Sequence, residues 1–257
     1  MRIARALLPD GDVYYGLVAD EHFQPLHGSP FDRPLDALTA AGRPAPLASV
    51  RLLAPCQPSK MICIGRNYVE HAAEHGVDVP SEPLIFLKPP SAVVGPGEAV
   101  LLPSLSQKVE HEAELVAVIG RRARGLTLDN ALEAVLGYTC GNDVTARDLQ
   151  RRDGQWSRAK GFDTFCPLGP WIETGLDWRG QQVQCLVNDE VRQSGSTADM
   201  VFGVAELLVY VSAVMTLEPG DVLMTGTPSG VSPLRAGDQM VVSISGIGTL
   251  SSPVRAG

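Results

Sequence analysis

Two opposed demands meet in one stretch of the chain, VEHEAELVAVIG, residues 109–120. Glu110, Glu112 and Glu114 recur at every second position. In an extended chain their side chains leave the same face, with successive acids about 6.6–7 Å apart at Cα. The continuation LVAVIG is apolar on both faces, the pattern of a strand covered on both sides. The acids therefore run inward, where an unpaired carboxylate is costly. Two glutamates of this row can converge on one ion, and a divalent cation would turn their repulsion into binding. Oxygen-only ligands favour hard ions such as magnesium, manganese or calcium. A third acid is then wanted from elsewhere, and Asp143 in GNDVTARD, just after an apolar segment, has the best placement. The competing reading is an edge strand whose glutamates merely face solvent, and the apolar continuation weighs against it.

The 257 residues are 44% hydrophobic, enough for one large domain or one domain with a small appendage. Residues 1 to about 55 show short alternating segments, RIARALL, VYYGLVA and FQPLHG, separated by turn chemistry such as PDGD at 9–12. The proline-containing connections GRPAP (42–46) and APCQPS (54–59) place a boundary near residue 58. The expected organisation is a small β-rich N-terminal domain over 1–57 and a larger domain over 58–257. In the larger part KMICIG (60–65), LIFLKP (84–89), DVLMTGTP (221–228) and QMVVSISGIGTL (239–250) read as strands. NYVEHAAEH (67–75) reads as a short helix with Asn67 as its cap. LTLDNALEAVLGY (126–138) and VFGVAELLVYVSAVM (201–215) have helical periodicity, the second apolar nearly all round and so expected to be buried. Many strands and few helices, without a βαβα rhythm, predict a strand-dominated mixed α+β fold.

Lysine plus arginine number 21 against 29 acids, a net charge of −8, and the basic runs do not exceed pairs such as 121–122 and 151–152. This speaks against a nucleic-acid or anionic-membrane surface. No apolar stretch reaches the roughly 18 residues of a membrane span. The N-terminal apolar run is too short for a signal peptide, so a cytoplasmic protein is expected. Five cysteines, at 56, 63, 140, 166 and 185, form no CxxC pair and are odd in number, which favours buried thiols over disulfides or a thiolate zinc site. GxGxxG, GxSxG and Walker patterns are absent, so nucleotide cofactors and serine hydrolysis are unsupported.

A second cluster lies in GRNYVEHAAEH, residues 65–75. His71 and Glu74 stand three apart on the expected helix and are neighbours there, so the carboxylate can orient the imidazole as a general base. The same letters with His75 spell HxxEH, a zinc-peptidase pattern, and a surface helix with incidental histidines is the plain alternative. Lys160 in RAKGFDTFCPLGP and Lys88 at the end of LIFLKP are lone lysines in segments that turn apolar. TGTPSGV, residues 225–231, follows a strand and can present N–H and hydroxyl donors to an anion.

GRNYVEHAAE, LIFLKPPSAVVGP, EHEAELVAVIG, NDVTARDLQRRDGQW, AKGFDTFCPLGPW and MTGTPSGV, in this order and spacing, resemble the fumarylacetoacetate hydrolase family over residues 60–250. Residues 1–57 resemble, less closely, the small N-terminal domain of some single-chain bacterial members. The resemblance implies a mixed β-sandwich roll, a homodimer, and one Mg2+ or Mn2+ held by Glu112, Glu114 and Asp143. Glu110 matches no family ligand, His111 is expected on the opposite face, and His71 with Glu74 matches the family's dyad while His75 matches nothing. The implied substrate is a 2-oxo acid or its enol, bound to the metal through the C1 carboxylate and C2 oxygen, with Lys160 adding positive charge. Gly226 and Thr227 are expected on the substrate carboxylate, Arg66 and Lys88 at the distal end, and Arg147 with Asp148 as a structural pair. The dyad favours a hydrolase cleaving acylpyruvate-like C–C bonds. A hydroxymuconate- or heptadienedioate-type isomerase, a 2-oxo acid decarboxylase, and a metal-dependent carboxylate-binding protein without turnover are the alternatives.

Overall fold

The computed structural model describes residues 1–257 except His75 and Val77. Its centre is the strand Ala113–Ile119, whose seven residues are all buried. Ala113, Leu115, Ala117 and Ile119 face one apolar cluster, while Val116 and Val118 face another that also holds Met61, Cys63, Ile172 and Met224. A strand packed on both faces needs the two-sided apolar run seen in its sequence. It pairs antiparallel with Val135–Asn142 on one side and with Val222–Met224 on the other.

From this centre the main sheet extends both ways. Beyond Val222–Met224 come the parallel strand Met61–Gly65 and then, at the edge, Leu84–Lys88. Beyond Val135–Asn142 come Cys166–Glu173 and Arg2–Leu7, Val13–Ala19 and His22–His27. The N-terminal strands thus continue the main sheet, through the register Arg2↔Glu173 and Ile3↔Ile172. A second sheet of five strands, containing Gln182–Val187, Gln239–Ile244 and Gly248–Ala256, covers the first cluster with Val183, Cys185, Val242, Ile244 and Leu250. The strand-dominated mixed α+β expectation is met. All five cysteines are free and buried. Among the described residues no helix is long and apolar enough to cross a membrane.

The helices are α1 (Val69–Glu74), α2 (Arg147–Asp153), α3 (Ser157–Lys160) and α4 (Val204–Val214). In α4 the stripe Val204, Leu207, Leu208 and Val211 is buried, whereas Val214 is 58% exposed, so the helix covers the core with one face and is not enclosed all round. Two further expectations change. Within 126–138 only Ala131–Ala134 is helical, as a 3-10 turn, and Val135–Asn142 is a strand. Pairing on both edges outweighs the local periodicity there, and Gly137 suits it, since a Cβ at that position would stand 2.5 Å from the Glu173 carbonyl oxygen. Asn67 does not cap α1. Its Nδ2 donates to the carbonyls of Phe202 (3.0 Å) and Thr225 (2.8 Å), and its Oδ1 accepts from Phe202 N (2.9 Å), which ties the start of α1 to the loops beside it.

Where the chain enters Met61–Gly65, the fully buried Asp221 carboxylate gathers three backbone N–H groups, those of Ser59 (3.0 Å), Lys60 (3.2 Å) and Glu218 (2.8 Å), together with the Lys60 ammonium. Removing a buried charged acceptor leaves these donors without a partner. Asp221→Ala is therefore expected to cost about 3–5 kcal/mol, read as a lower denaturant midpoint at unchanged slope. Wild-type stability in that variant would remove this joint from the fold's supports.

Candidate active site

The antiparallel register that builds the centre also builds the site. Ala113 lies opposite Asn142 and Glu114 opposite Gly141, so Glu112 and Asp143 meet at the strand ends. Asp143 N donates to Glu112 O at 2.8 Å, and Glu112 N donates to the Asn142 side-chain oxygen at 2.9 Å. Gly141 keeps the space opposite Glu114 open, because a Cβ there would lie 2.5 Å from Val116 Cγ2. Glu112, Glu114 and Asp143 are buried, and one oxygen from each lies within 4.8 Å of the others. The opening stretch is not one continuous strand, however. Val109–Glu110 pairs separately with Thr145–Ala146, and His111 and Glu112 belong to neither strand.

Buried cations surround these acids. Lys160 Nζ donates to Glu112 (2.8 Å) and Asp143 (2.5 Å), and Lys88 Nζ donates to Asp143 (2.6 Å) and to the Val144 carbonyl (3.1 Å). Arg147 donates through Nε to Glu110 (2.7 Å) and through Nη2 to Glu112. Burial works to raise the Glu112 carboxyl, but the charges of Lys160 and Arg147 hold it well below the ordinary carboxylate range. Burial likewise works against the Lys160 ammonium, yet Asp143 and Glu112 hold its pKa above normal. Glu114 differs. Burial, then the neighbouring Asp143 and Glu112, push it well upward, while the Gly226 N–H donates to it at 2.8 Å. The negative potential of Asp143 and Glu112 thus falls on Glu114, at an oxygen-only cluster whose donors fit a hard divalent cation.

The floor opens into a cavity of about 190 Å³ that His71, Arg66, Trp156 and Thr227 also line. His71 is 6% exposed, and its Nδ1 lies 3.5 Å from Glu74 Oε2. Glu74 in turn accepts from Gly230 N at 3.3 Å, which fastens α1 to the 225–231 loop, and burial raises its pKa against that hydrogen bond. His71 and the acid triad thus line one cavity, with Glu74 behind His71. His75, the third letter of the zinc-peptidase pattern, lies outside the described residues.

Several expected site residues are placed differently. Lys88 is 1% exposed beneath Asp143 and does not reach a distal end. The Gly226 N–H is directed at Glu114, and the Thr227 hydroxyl donates to the Ala113 carbonyl (2.8 Å) while accepting from Gln193 Nε2 (2.7 Å). These donors are thus committed within the protein. Arg147 does not pair with Asp148, which instead accepts from Ser106 Oγ (2.5 Å) and Gln107 N (2.9 Å). His111 is buried between Gln193 (2.8 Å) and Ser232 (2.8 Å). Sequence reasoning missed Arg147 as a charge partner, along with Phe86 and Trp156 in the cavity wall. The spacing of Arg147 and Gln150 on one turn of α2, joined at 2.6 Å, was the available signal.

A family model described as fumarylacetoacetate (FAA) hydrolase C-terminal matches residues 60–255. The chain belongs to the fumarylacetoacetate hydrolase family. A second model, Rv2993c-like N-terminal, matches residues 1–55. Among relatives of this fumarylacetoacetate hydrolase family member, Protein Rv2993c of Mycobacterium tuberculosis is 45% identical over 99% of this chain and 98% of its own length. The mitochondrial oxaloacetate tautomerase FAHD2A of Homo sapiens is 43% identical over 85% of this chain and 74% of its own length. The crystal structure of 5-carboxymethyl-2-hydroxymuconate delta-isomerase from Mycobacterium smegmatis superposes with a TM-score of 0.92 at 45% identity, covering 100% of both chains.

Glu110 now has a place that its spacing alone did not reveal. It holds Arg147 from one side, with Lys108 at 2.9 Å on its other oxygen, while Arg147 holds Glu112. Outer partners of a metal ligand commonly set its orientation. Glu110→Gln is expected to lower magnesium affinity by about 10–100-fold, and Glu114→Ala to lower it further. Calorimetric titration with magnesium chloride measures both, and wild-type affinity in Glu114→Ala would remove that acid from the cation site.

Proposed function

We propose that this chain is a divalent-metal-dependent isomerase of 2-oxo acids, interconverting enol and keto forms. The observation that supports this most directly is that His71, backed by Glu74, shares one small cavity with the acid triad and Lys160. Proton transfer next to a carbonyl requires those two components: a base within reach of the carbon, and fixed positive charge where the enolate oxygen develops. Glu112, Glu114 and Asp143 would hold the ion, with Mg2+ or Mn2+ suited to an all-oxygen donor set. When bound, such an ion supplies Lewis-acid stabilisation of negative charge.

The protein's own residues do the rest. Lys160, kept charged by Glu112 and Asp143, contributes a second positive group at the floor. His71 gives or takes the C3 proton, and Glu74 keeps its ring oriented. Burial of the floor excludes water, which strengthens each charge interaction. Similarity along the whole chain to the mycobacterial delta-isomerase, and over most of it to the human tautomerase, favours this reading over C–C cleavage.

Hydrolysis of an acylpyruvate is the second reading. It draws on the same dyad, which also suits activation of a water, and on the family's own description. The proposal includes a homodimer in the cytoplasm acting on a small molecule, with no nucleic-acid or membrane partner, consistent with the net charge of −8.

The test is a panel of enol oxaloacetate, hydroxymuconate-type dienes and acylpyruvates with magnesium present, with products identified. Accelerated enol–keto interconversion without chain cleavage is expected. Pyruvate released with a second acid from acylpyruvates would establish the hydrolase instead. His71→Ala is expected to slow interconversion by about 10²–10⁴-fold while leaving magnesium affinity unchanged. Full turnover in that variant would overturn the assignment of the base.

A further inference from the structure

Resting on the reading of His71 and Glu74 as the pair that moves the proton, we propose that Gln193 is a positioning residue for that reaction. Through the 225–231 loop it sets where the dyad stands relative to the acids that hold the cation.

Gln193 lies in Glu190–Ser196, the edge strand of the second sheet. The other residues of that strand are exposed or half-buried, yet Gln193 is 0% exposed. A bulge turns it inward. Cys185 faces Gln193 and Leu186 faces Val191, so Arg192 is the extra residue between the two pairs. An inserted residue of this kind re-aims its neighbour. The inward amide has all four of its bonding positions filled. Its Oε1 accepts from Ala113 N (3.0 Å) and from His111 Nδ1 (2.8 Å), and its Nε2 donates to Thr227 Oγ1 (2.7 Å) and to the Pro228 carbonyl (2.8 Å). The Ala113 N–H can only donate and the Pro228 carbonyl only accept, which fixes the two ends of the amide. His111 then carries its proton on Nδ1, and its Nε2 accepts from Ser232 Oγ (2.8 Å).

These four bonds join two parts of the site that come from different elements. On one side Ala113 stands between Glu112 and Glu114 in the chain. On the other, Thr227 and Pro228 lead into the loop that holds α1. There Gly230 N donates to both Glu74 oxygens (3.3 Å), and Ser229 Oγ donates to Glu70 (3.1 Å). Backbone contact seats the same loop on the bulged strand. A Cβ at Gly230, where φ is +97°, would lie 2.1 Å from the Arg192 carbonyl oxygen, and one at Gly195 would lie 2.5 Å from Pro228 Cβ. Position is thus passed from Ala113 through Gln193 and the loop to Glu74, and from Glu74 to His71. Gln193 lies behind Thr227 and is not among the residues lining the cavity, so it acts through others. Transfer of a carbon-bound proton depends on such placement, and an error of roughly 1 Å can cost about 10²-fold.

Gln193→Met nearly keeps the side-chain volume and removes both ends of the amide. With magnesium saturating, kcat for enol–keto interconversion of oxaloacetate is expected to fall by about 10–100-fold, with KM and the calorimetric magnesium affinity unchanged. Hydrogen exchange, followed by mass spectrometry, is expected to quicken in α1 and the 225–231 loop and to stay slow in Ala113–Ile119. Because the effect runs through Glu74, Glu74→Gln is expected to cost far less in the Gln193→Met background than in wild type. A general loss of stability would leave the two costs additive. Gly230→Ala lifts the loop off the bulge with the amide intact and is expected to reproduce the same pattern; it decides alone if Gln193→Met does not fold. Unchanged kcat and exchange in the folded variants, additive costs, or a loss of magnesium affinity as large as the loss of kcat would overturn the positioning role. If wild type shows no interconversion at all, the enol–keto reading fails, while exchange in α1 still decides whether Gln193 holds the dyad.

Discussion

Four carboxylates, those of Glu110, Glu112, Glu114 and Asp143, are buried within one small region, and the structure depends on how their charge is balanced. Lys88, Arg147 and Lys160 enter the same region, each 3% exposed or less. Left unpaired, any one of these ions would cost several kcal/mol. Paired, they form a network in which Glu112 and Asp143 have their oxygens assigned to cations, while burial and these two neighbouring acids raise the pKa of Glu114. That imbalance is chemically useful. A site with all its acids neutralised internally would have little affinity for a divalent ion, whereas a site without internal cations would struggle to fold.

The same backbone register serves folding and site building. The Ala113↔Asn142 pairing aligns two buried strands and, one residue further on, brings two acid-bearing segments together. Because the side-chain period of a strand is two, a slip of one residue would send Glu112 and Glu114 to the face occupied by Leu115 and Ala117. Apolar packing on both faces of Ala113–Ile119 therefore protects the geometry of the cation site at a distance. The α1 dyad is added from outside this frame, held by Asn67 at its start and by the Gly230 N–H at its end.

On the proposed reading, the division of labour in the cavity is spatial. Its floor binds and stabilises negative charge, and its side supplies the proton. Isomerisation and hydrolysis in this family would then share the floor and differ in what His71 meets, a carbon-bound proton or a water. Fold alone does not choose between them, because function resides in the site rather than in the scaffold.

Much of this was legible in the chain. The apolar LVAVIG after the glutamate row weighed towards a strand buried on both faces and against a solvated edge, and Asp143 was placed by its position after an apolar segment. The strand Val135–Asn142 was not legible, because its helical spacing is overridden by pairing on both edges. Nor was the role of Lys88, which meets Asp143 across 55 positions of sequence, or of Glu110, whose partner Arg147 lies 37 positions away. Periodicity reports which face a side chain takes within its own element. Which buried cation meets which buried acid depends on distances between elements, and only the packed tertiary structure decides those.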